Sequence, residues 1–289
     1  MAGAGFPGAG YMPLSMRVGA PGGFAPAYDA FADSIVHAYE PARRVLSSYT
    51  GNLVRLRRAS DNAEANFTYL ANGDLDVAAI AAWAGGASYV VTVYDQAPNS
   101  DDVTQAVAAN QPLYVASIRN GHAGMLFDGT NDYLQGAFTT GGILSQPVNI
   151  YAVAQLDATA VNDDVLHYMV DGDDSTNRMG LGQVPPPSPN PWEMWAGTEL
   201  SGSLSTANWT VWSSLFNGVA SQFWVNSVSA ASGNAGANNL DGLVVGAAYL
   251  VNLALWKGPI VSIVICDPSL SDALRIAMQN ATNAYWSCF

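Results

Sequence analysis

Between Tyr89 and Cys266 the apolar positions alternate with polar ones in short runs, rather than recurring every three or four residues. A period of two puts successive side chains on opposite faces, so it predicts strands with one face buried. Segments 89–94, 113–118, 124–127, 132–135, 148–156, 165–170, 178–182, 191–196, 209–216, 221–225, 242–246 and 259–266 fit that pattern. Clusters of Gly, Asn, Asp, Pro and Ser separate them. Many short strands with closely spaced turn residues predict an all-β sandwich. Upstream, the stretch Val45–Glu64 reads as a strand, then an Arg-rich strand, then a polar loop.

The period changes in three places. Ala30–Tyr39 is a short amphipathic piece ending at Pro41, which predicts a helix or turn. Asp74 to Trp83 predicts a helix capped by Asp74 and terminated at Gly85-Gly86. Leu274, Ala277, Met278, Ala281 and Tyr285 lie at helical spacing, so a closing helix is expected over 270–286. One sandwich core is expected across about 41–266, with segments 124–127 and 259–266 both inside it.

Residues 1–30 have no period at all. They are rich in Gly, Ala and Pro, with Phe6, Tyr11, Met12, Leu14, Met16 and Phe24 scattered through them. Such a segment cannot bury enough surface to fold alone. The expected organisation is therefore an arm, 1–30, and one β-sandwich domain, 31–289. Ordering the arm costs about 1 kcal/mol or more per residue. Its six large apolar side chains are the groups able to offset that cost, and they are expected to dock on a neighbouring subunit.

Composition narrows the function classes. Of 289 residues 49% are hydrophobic, enough for a sizeable core, but only 11% are charged. That leaves a neutral polar surface of the kind that meets sugars or sister subunits. The net charge is −13 and Lys257 is the only lysine, which disfavours a general nucleic-acid surface. Arg43, Arg44, Arg55, Arg57 and Arg58 cluster, and pairing with the many aspartates explains them better than a phosphate site does. Cys266 and Cys288 are expected as two buried thiols. No segment reaches transmembrane length. The start of the chain lacks a basic region followed by an apolar run, so no leader is expected.

Two motifs carry a family resemblance. The first is Val45-Leu-Ser-Ser-Tyr-Thr-Gly, followed by Arg58-Ala-Ser-Asp-Asn and by Tyr94-Asp95-Gln96. In this order they resemble the start of the catalytic domain of fungal α-L-arabinofuranosidase B, and equally the phage and prophage proteins built on the same module. The second, Phe127-Asp-Gly-Thr-Asn-Asp-Tyr133, resembles a strand of laminin-G-like sandwiches. The resemblance implies a concanavalin A-like jelly roll and a carbohydrate-related lineage.

The resemblance also implies where catalytic carboxylates belong. Retaining glycosidases need two, about 5 Å apart. The family's nucleophile position falls on Gly180, and the stretch of its acid/base aspartate falls on Val245–Tyr249, with no carboxylate. The family's vicinal cysteine pair is also missing. Glu193 lies nearby, in the separate motif Pro191-Trp-Glu-Met-Trp195. On that alignment arabinofuranosidase turnover is not expected.

Two further segments invite a ligand. Asp171, Asp173 and Asp174 have the oxygen spacing of a calcium loop, although an exposed turn explains the same residues. Trp192, Trp195 and Trp209 follow a Pro-rich stretch and could offer rings to a sugar, the alternative being packing in the sandwich. The expectation drawn from these features is a non-enzymatic bacteriophage virion protein. It would sit on the particle exterior as a capsid decoration or fibre subunit, made in the bacterial cytoplasm. Its partners would be capsid or tail proteins, sister copies in a trimer and host-surface glycans, without nucleic acid or membrane. The alternatives from another class are an arabinofuranosidase-type glycoside hydrolase and a free lectin-like carbohydrate-binding module.

Overall fold

The computed structural model describes residues 26–185 and 189–289. Phe6, Tyr11, Met12, Leu14, Met16 and Phe24, and with them the expected docking arm, lie outside the described residues. Among those described, eighteen strands form a continuous antiparallel network folded into two layers. This is the all-β sandwich that the period of two implies, with the jelly-roll-like form that the family resemblance implies.

The first layer runs Ile35–Tyr39, Lys257–Cys266, Val148–Gln155, Trp209–Phe216, Ser221–Val225 and Val228–Gly233. The second begins at Glu64–Phe67 and passes through Val54–Arg58, Ser88–Val93, Val103–Thr104, Leu134–Ala137 and Gly242–Val245. It continues through His167–Asp171, Gly180–Gln183 and Pro191–Trp195 to Glu199–Leu204. The hairpin Leu113–Arg119/His122–Asp128 joins the layers, because Leu113 pairs with Tyr89 on one side and Asp128 with Lys257 on the other. The main core lies between the layers. Ile150, Ala152, Trp212, Phe223, Ile263 and Ile265 from one meet Leu56, Val90, Met169, Leu181, Met194 and Val245 from the other.

The outer face of the first layer is also covered. The helix Asp272–Trp286 lies over it, and Met278, Tyr151, Val264, Cys266, Tyr28 and Phe31 form a second cluster beneath. Coverage on both faces explains why Ile150 to Ala154, within the strand Val148–Gln155, is an unbroken apolar run instead of an alternating one. The helix is held electrostatically as well. Glu40, fully buried, accepts hydrogen bonds from Arg43 at 2.5 Å and from Ser262 at 2.7 Å. The Arg43 guanidinium in turn sits 3.8 Å from the centre of the Tyr285 ring on the helix.

Several expectations need correction. Ala30–Tyr39 is a single 3-10 turn, Asp29–Phe31, followed by the strand Ile35–Tyr39. That strand exists because Lys257–Cys266 offers it a partner more than two hundred residues away. Part of the polar loop after the Arg-rich strand is the short strand Glu64–Phe67, paired with that strand. The first α-helix runs Val77–Ala84, and its cap is Asp76, whose carboxylate accepts from the Ala79 amide at 2.9 Å. Asp74 instead accepts from the Tyr285 hydroxyl. Gly85 closes the helix at φ 62°, where a Cβ would be strained. Asp76→Ala is expected to cost about 1 kcal/mol, read as a lowered urea midpoint with an unchanged slope.

The arginine cluster does pair internally. Arg43 meets Glu40, Arg55 meets Glu64, and Arg58 meets Asp61. Arg57 donates to Gln111, Asn62 and the Ala108 carbonyl. Both cysteines are free thiols, Cys266 buried and Cys288 half-buried. The Tyr94-Asp95-Gln96 motif serves the fold. Asp95 accepts from His37 at 2.8 Å and from the amides of Ala38, Ala97 and Asp101, while Gln96 binds the backbone of Glu40, Arg43 and Val45. Among the described residues no helix is long and apolar enough to cross a membrane.

Candidate active site

Three neighbouring strands of the second layer, His167–Asp171, Gly180–Gln183 and Pro191–Trp195, turn one face to the core and the other outward. Strand alternation divides Pro191–Trp195 cleanly. Trp192 and Met194 point into the core, Trp192 against the rings of Trp212 and Trp256, whereas Glu193 and Trp195 stand on the outer face. A register shift between Tyr168 and Val170 does something alternation would forbid: it brings Tyr168 and Asp171, three residues apart, onto the same face. Two cross-strand rows result. One is Tyr168, Gly182, Glu193 and Ser201; the other is Asp171, Gly180, Trp195 and Glu199.

Glycine in both rows makes room for the side chains beside it. A Cβ on Gly182 would stand 2.5 Å from the Tyr168 ring, so the ring lies directly over that backbone. A Cβ on Gly180 would stand 3.3 Å from the same ring and 3.4 Å from Asp171 Oδ1. The Tyr168 side chain reaches across to lie beside Glu193. Arg178 then closes the group. It grips Asp171 through Nε and Nη2, the shortest contact being 2.6 Å. Its guanidinium is stacked between Trp195, at 4.3 Å, and Tyr249, at 4.2 Å. The Tyr249 amide also donates to Asp171.

The electrostatics single out Glu193. It is 2% exposed, and its Oε1 has no hydrogen-bond partner. Burial, reinforced by Glu199 and Asp171, raises its pKa to about 7, against a lowering contribution from Tyr168. Burial also raises the pKa of Asp171, with the Arg178 contact opposing it. A buried carboxyl that holds its proton near neutrality, beside a second carboxyl paired to an arginine, has the chemistry of a proton donor with a charged neighbour.

The other sequence candidates are placed differently. Trp192 is 1% exposed and Trp209 8%, so neither has a ring face open to a sugar; of the three tryptophans only Trp195 reaches this site. The three aspartates do not converge. Asp171 is taken by Arg178, Asp173 packs over Gly242 near Asp241, and Asp174 caps the amides of Thr176 and Asn177 in a turn. Among the described residues no group of three His, Cys, Asp or Glu side chains is placed to hold a metal ion. Tyr168 and Arg178 drew no attention in the sequence. The alternation of Pro191–Trp195 was the available signal for Glu193, since it sets that residue opposite the core-facing tryptophan.

The model of the family described as alpha-L-arabinofuranosidase B, catalytic, matches residues 27–178, just over half of the chain. The chain belongs to that family. Membership overturns the expectation of a non-enzymatic virion protein, and with it the capsid-decoration and tail-fibre roles: the shared unit is the catalytic domain of a glycoside hydrolase. Solved arabinofuranosidases have the same fold. One complexed with arabinofuranosyl-alpha-1,2-xylobiose superposes with a TM-score of 0.66 at 17% identity. A GH54 α-L-arabinofuranosidase soaked with a cyclic sulfate inhibitor gives 0.68 at 18%. Each comparison covers 90% of this chain and 64% of the solved one, so the chain spans slightly under two thirds of their length. No curated protein sequence matches the chain.

Proposed function

We propose that the chain is a glycoside hydrolase domain of the arabinofuranosidase type, cleaving terminal α-L-arabinofuranosyl groups. The observation that carries this reading is the catalytic family's match, joined to a buried carboxyl of raised pKa on the outward face of the strands that follow it. Glu193 is the proton donor to the leaving-group oxygen. Asp171 is the carboxylate nearest the Gly180 position, where the family keeps its nucleophile, and Arg178 holds it in place. Trp195 and Tyr249 are the walls against which a sugar ring packs once Arg178 gives way to it.

The test is release of nitrophenol from 4-nitrophenyl α-L-arabinofuranoside by the full chain. Turnover is expected, and Asp171→Asn is expected to lower it by about a hundredfold or more. Gly180 and Tyr249, which carry no carboxylate, favour a second reading: a domain that binds the arabinofuranosyl group without cleaving it. Binding of methyl α-L-arabinofuranoside with no nitrophenol release from the wild type would establish that reading over the first.

A further inference from the structure

A cavity of about 620 Å³ opens where the hairpin ending at Asp128 meets the start of the Lys257–Cys266 strand. Tyr89, Leu113, Leu126 and Phe127 form its apolar wall, and Asp128, Asp132, Asp157 and Lys257 its polar one. It shares no residue with the Asp171–Arg178–Glu193 site. Its volume falls in the range of small-molecule sites, roughly 300–1,000 Å³.

The hydrogen-bond inventory of the wall leaves both donors and acceptors for a ligand. Arg57, which also lines the cavity, uses one N–H of each nitrogen on Gln111, Asn62 and Ala108, and Lys257 Nζ donates one of its three to Thr159 at 2.7 Å. The acceptors are half used. Asp128 takes the amides of Thr130 and Asn131 on Oδ1, Asp132 takes the Asp128 amide on Oδ2, and Asp157 takes Thr159 on Oδ1. Each aspartate therefore keeps one oxygen without a partner among the described residues. Asp132 is only 7% exposed, so its free oxygen has little water to turn to.

From this we infer that the cavity is a second carbohydrate site, taking a neutral sugar whose hydroxyls donate to Asp128, Asp132 and Asp157 while its C–H face packs on Tyr89 and Leu126. The sugar's hydroxyls suit both sides of the inventory: they donate to the free carboxylate oxygens and accept from the N–H groups left on Lys257 and Arg57. Three carboxylates against two cations also repel an anionic sugar. The aspartates are not spaced to hold a metal ion. Burial, with Asp128 beside it, lifts the Asp132 pKa to about 7, so hydroxyl donors that stabilise its charged form are matched to this carboxyl in particular.

The experiment is a backbone-amide NMR titration of the full chain with xylobiose, with glucosamine and digalacturonic acid as the cationic and anionic comparisons. Saturable shifts are expected at Gly129–Asp132 and Gly258, with xylobiose the tightest of the three. Asp132→Asn is expected to weaken it about tenfold and Asp157→Asn by less, each spectrum also reporting whether the variant is folded. Asp132→Asn is expected to leave nitrophenol release unchanged. The inference fails if no saturable shift occurs at these amides, if shifts are confined to residues 168–195, if glucosamine or digalacturonic acid binds more tightly, or if both variants bind as the wild type does. Because the readout is local, this failure is separable from a failure of the hydrolase reading.

Discussion

Glu193→Gln is expected to cut arabinofuranoside hydrolysis by about 10²–10⁴-fold while the protein stays folded, since a positioned acid contributes about that much. Glutamine fits the same space beside Tyr168 but has no proton to give. The pH profile supplies the sign. Glu193 acts in its protonated form and titrates at about pH 7, so wild-type activity should fall as pH rises through 7. The same group affects stability. Its folded pKa of about 7 lies above the ordinary value of 4.5, so the protonated form is favoured by folding. The stability this confers is full below about pH 4.5 and is lost as pH rises through about 7. It amounts to something on the order of 3 kcal/mol. Urea titrations at pH 4.5 and 8 should show that loss in the wild type and little of it in Glu193→Gln. Hydrolysis unchanged in the variant would remove Glu193 from the chemistry.

The sandwich was legible because most strands depend on local alternation. Trp209–Phe216 and Ser221–Val225 fall on the residues where the period of two puts them. The strands that escaped notice are those whose existence depends on a partner. Glu199–Leu204 and Val228–Gly233 are Ser-, Gly- and Ala-rich with much of their surface exposed, so they carry little β signal of their own. Ile35–Tyr39 mimics a short amphipathic helix until Lys257–Cys266 pairs with it.

The site was harder to read for a related reason. Sequence alignment asks whether Gly180 and Tyr249 carry carboxylates, and they do not. It cannot see that a register shift rotates Asp171 toward Gly180, or that Glu193 stands one row away on the adjoining strand. The tryptophans show the converse. Trp192 and Trp195 look equivalent in the chain, yet an odd separation along a strand sends one to the core and the other to the surface.

Arg43→Met is expected to destabilise the fold by about 3–5 kcal/mol, because it leaves Glu40 as an unpaired charge with no access to water. The arginine does more than neutralise. Burial acts against its charge, and Glu40 overcomes that effect, so its pKa lies above the ordinary arginine value. Its guanidinium links the turn after Ile35–Tyr39 to Tyr285, while Glu40 receives Ser262 from the neighbouring strand. Loss of the arginine therefore loosens the closing helix from the sheet as well as exposing a charge imbalance. The expected reading is a large drop in the urea midpoint, with early hydrogen exchange in residues 272–286. The double variant Glu40→Gln/Arg43→Met separates the causes. If the stranded carboxylate dominates, neutralising it should recover most of the lost stability, as replacement of whole buried ion pairs often does. If the double variant is as unstable as the single one, the packing of the guanidinium on Tyr285 carries the effect instead.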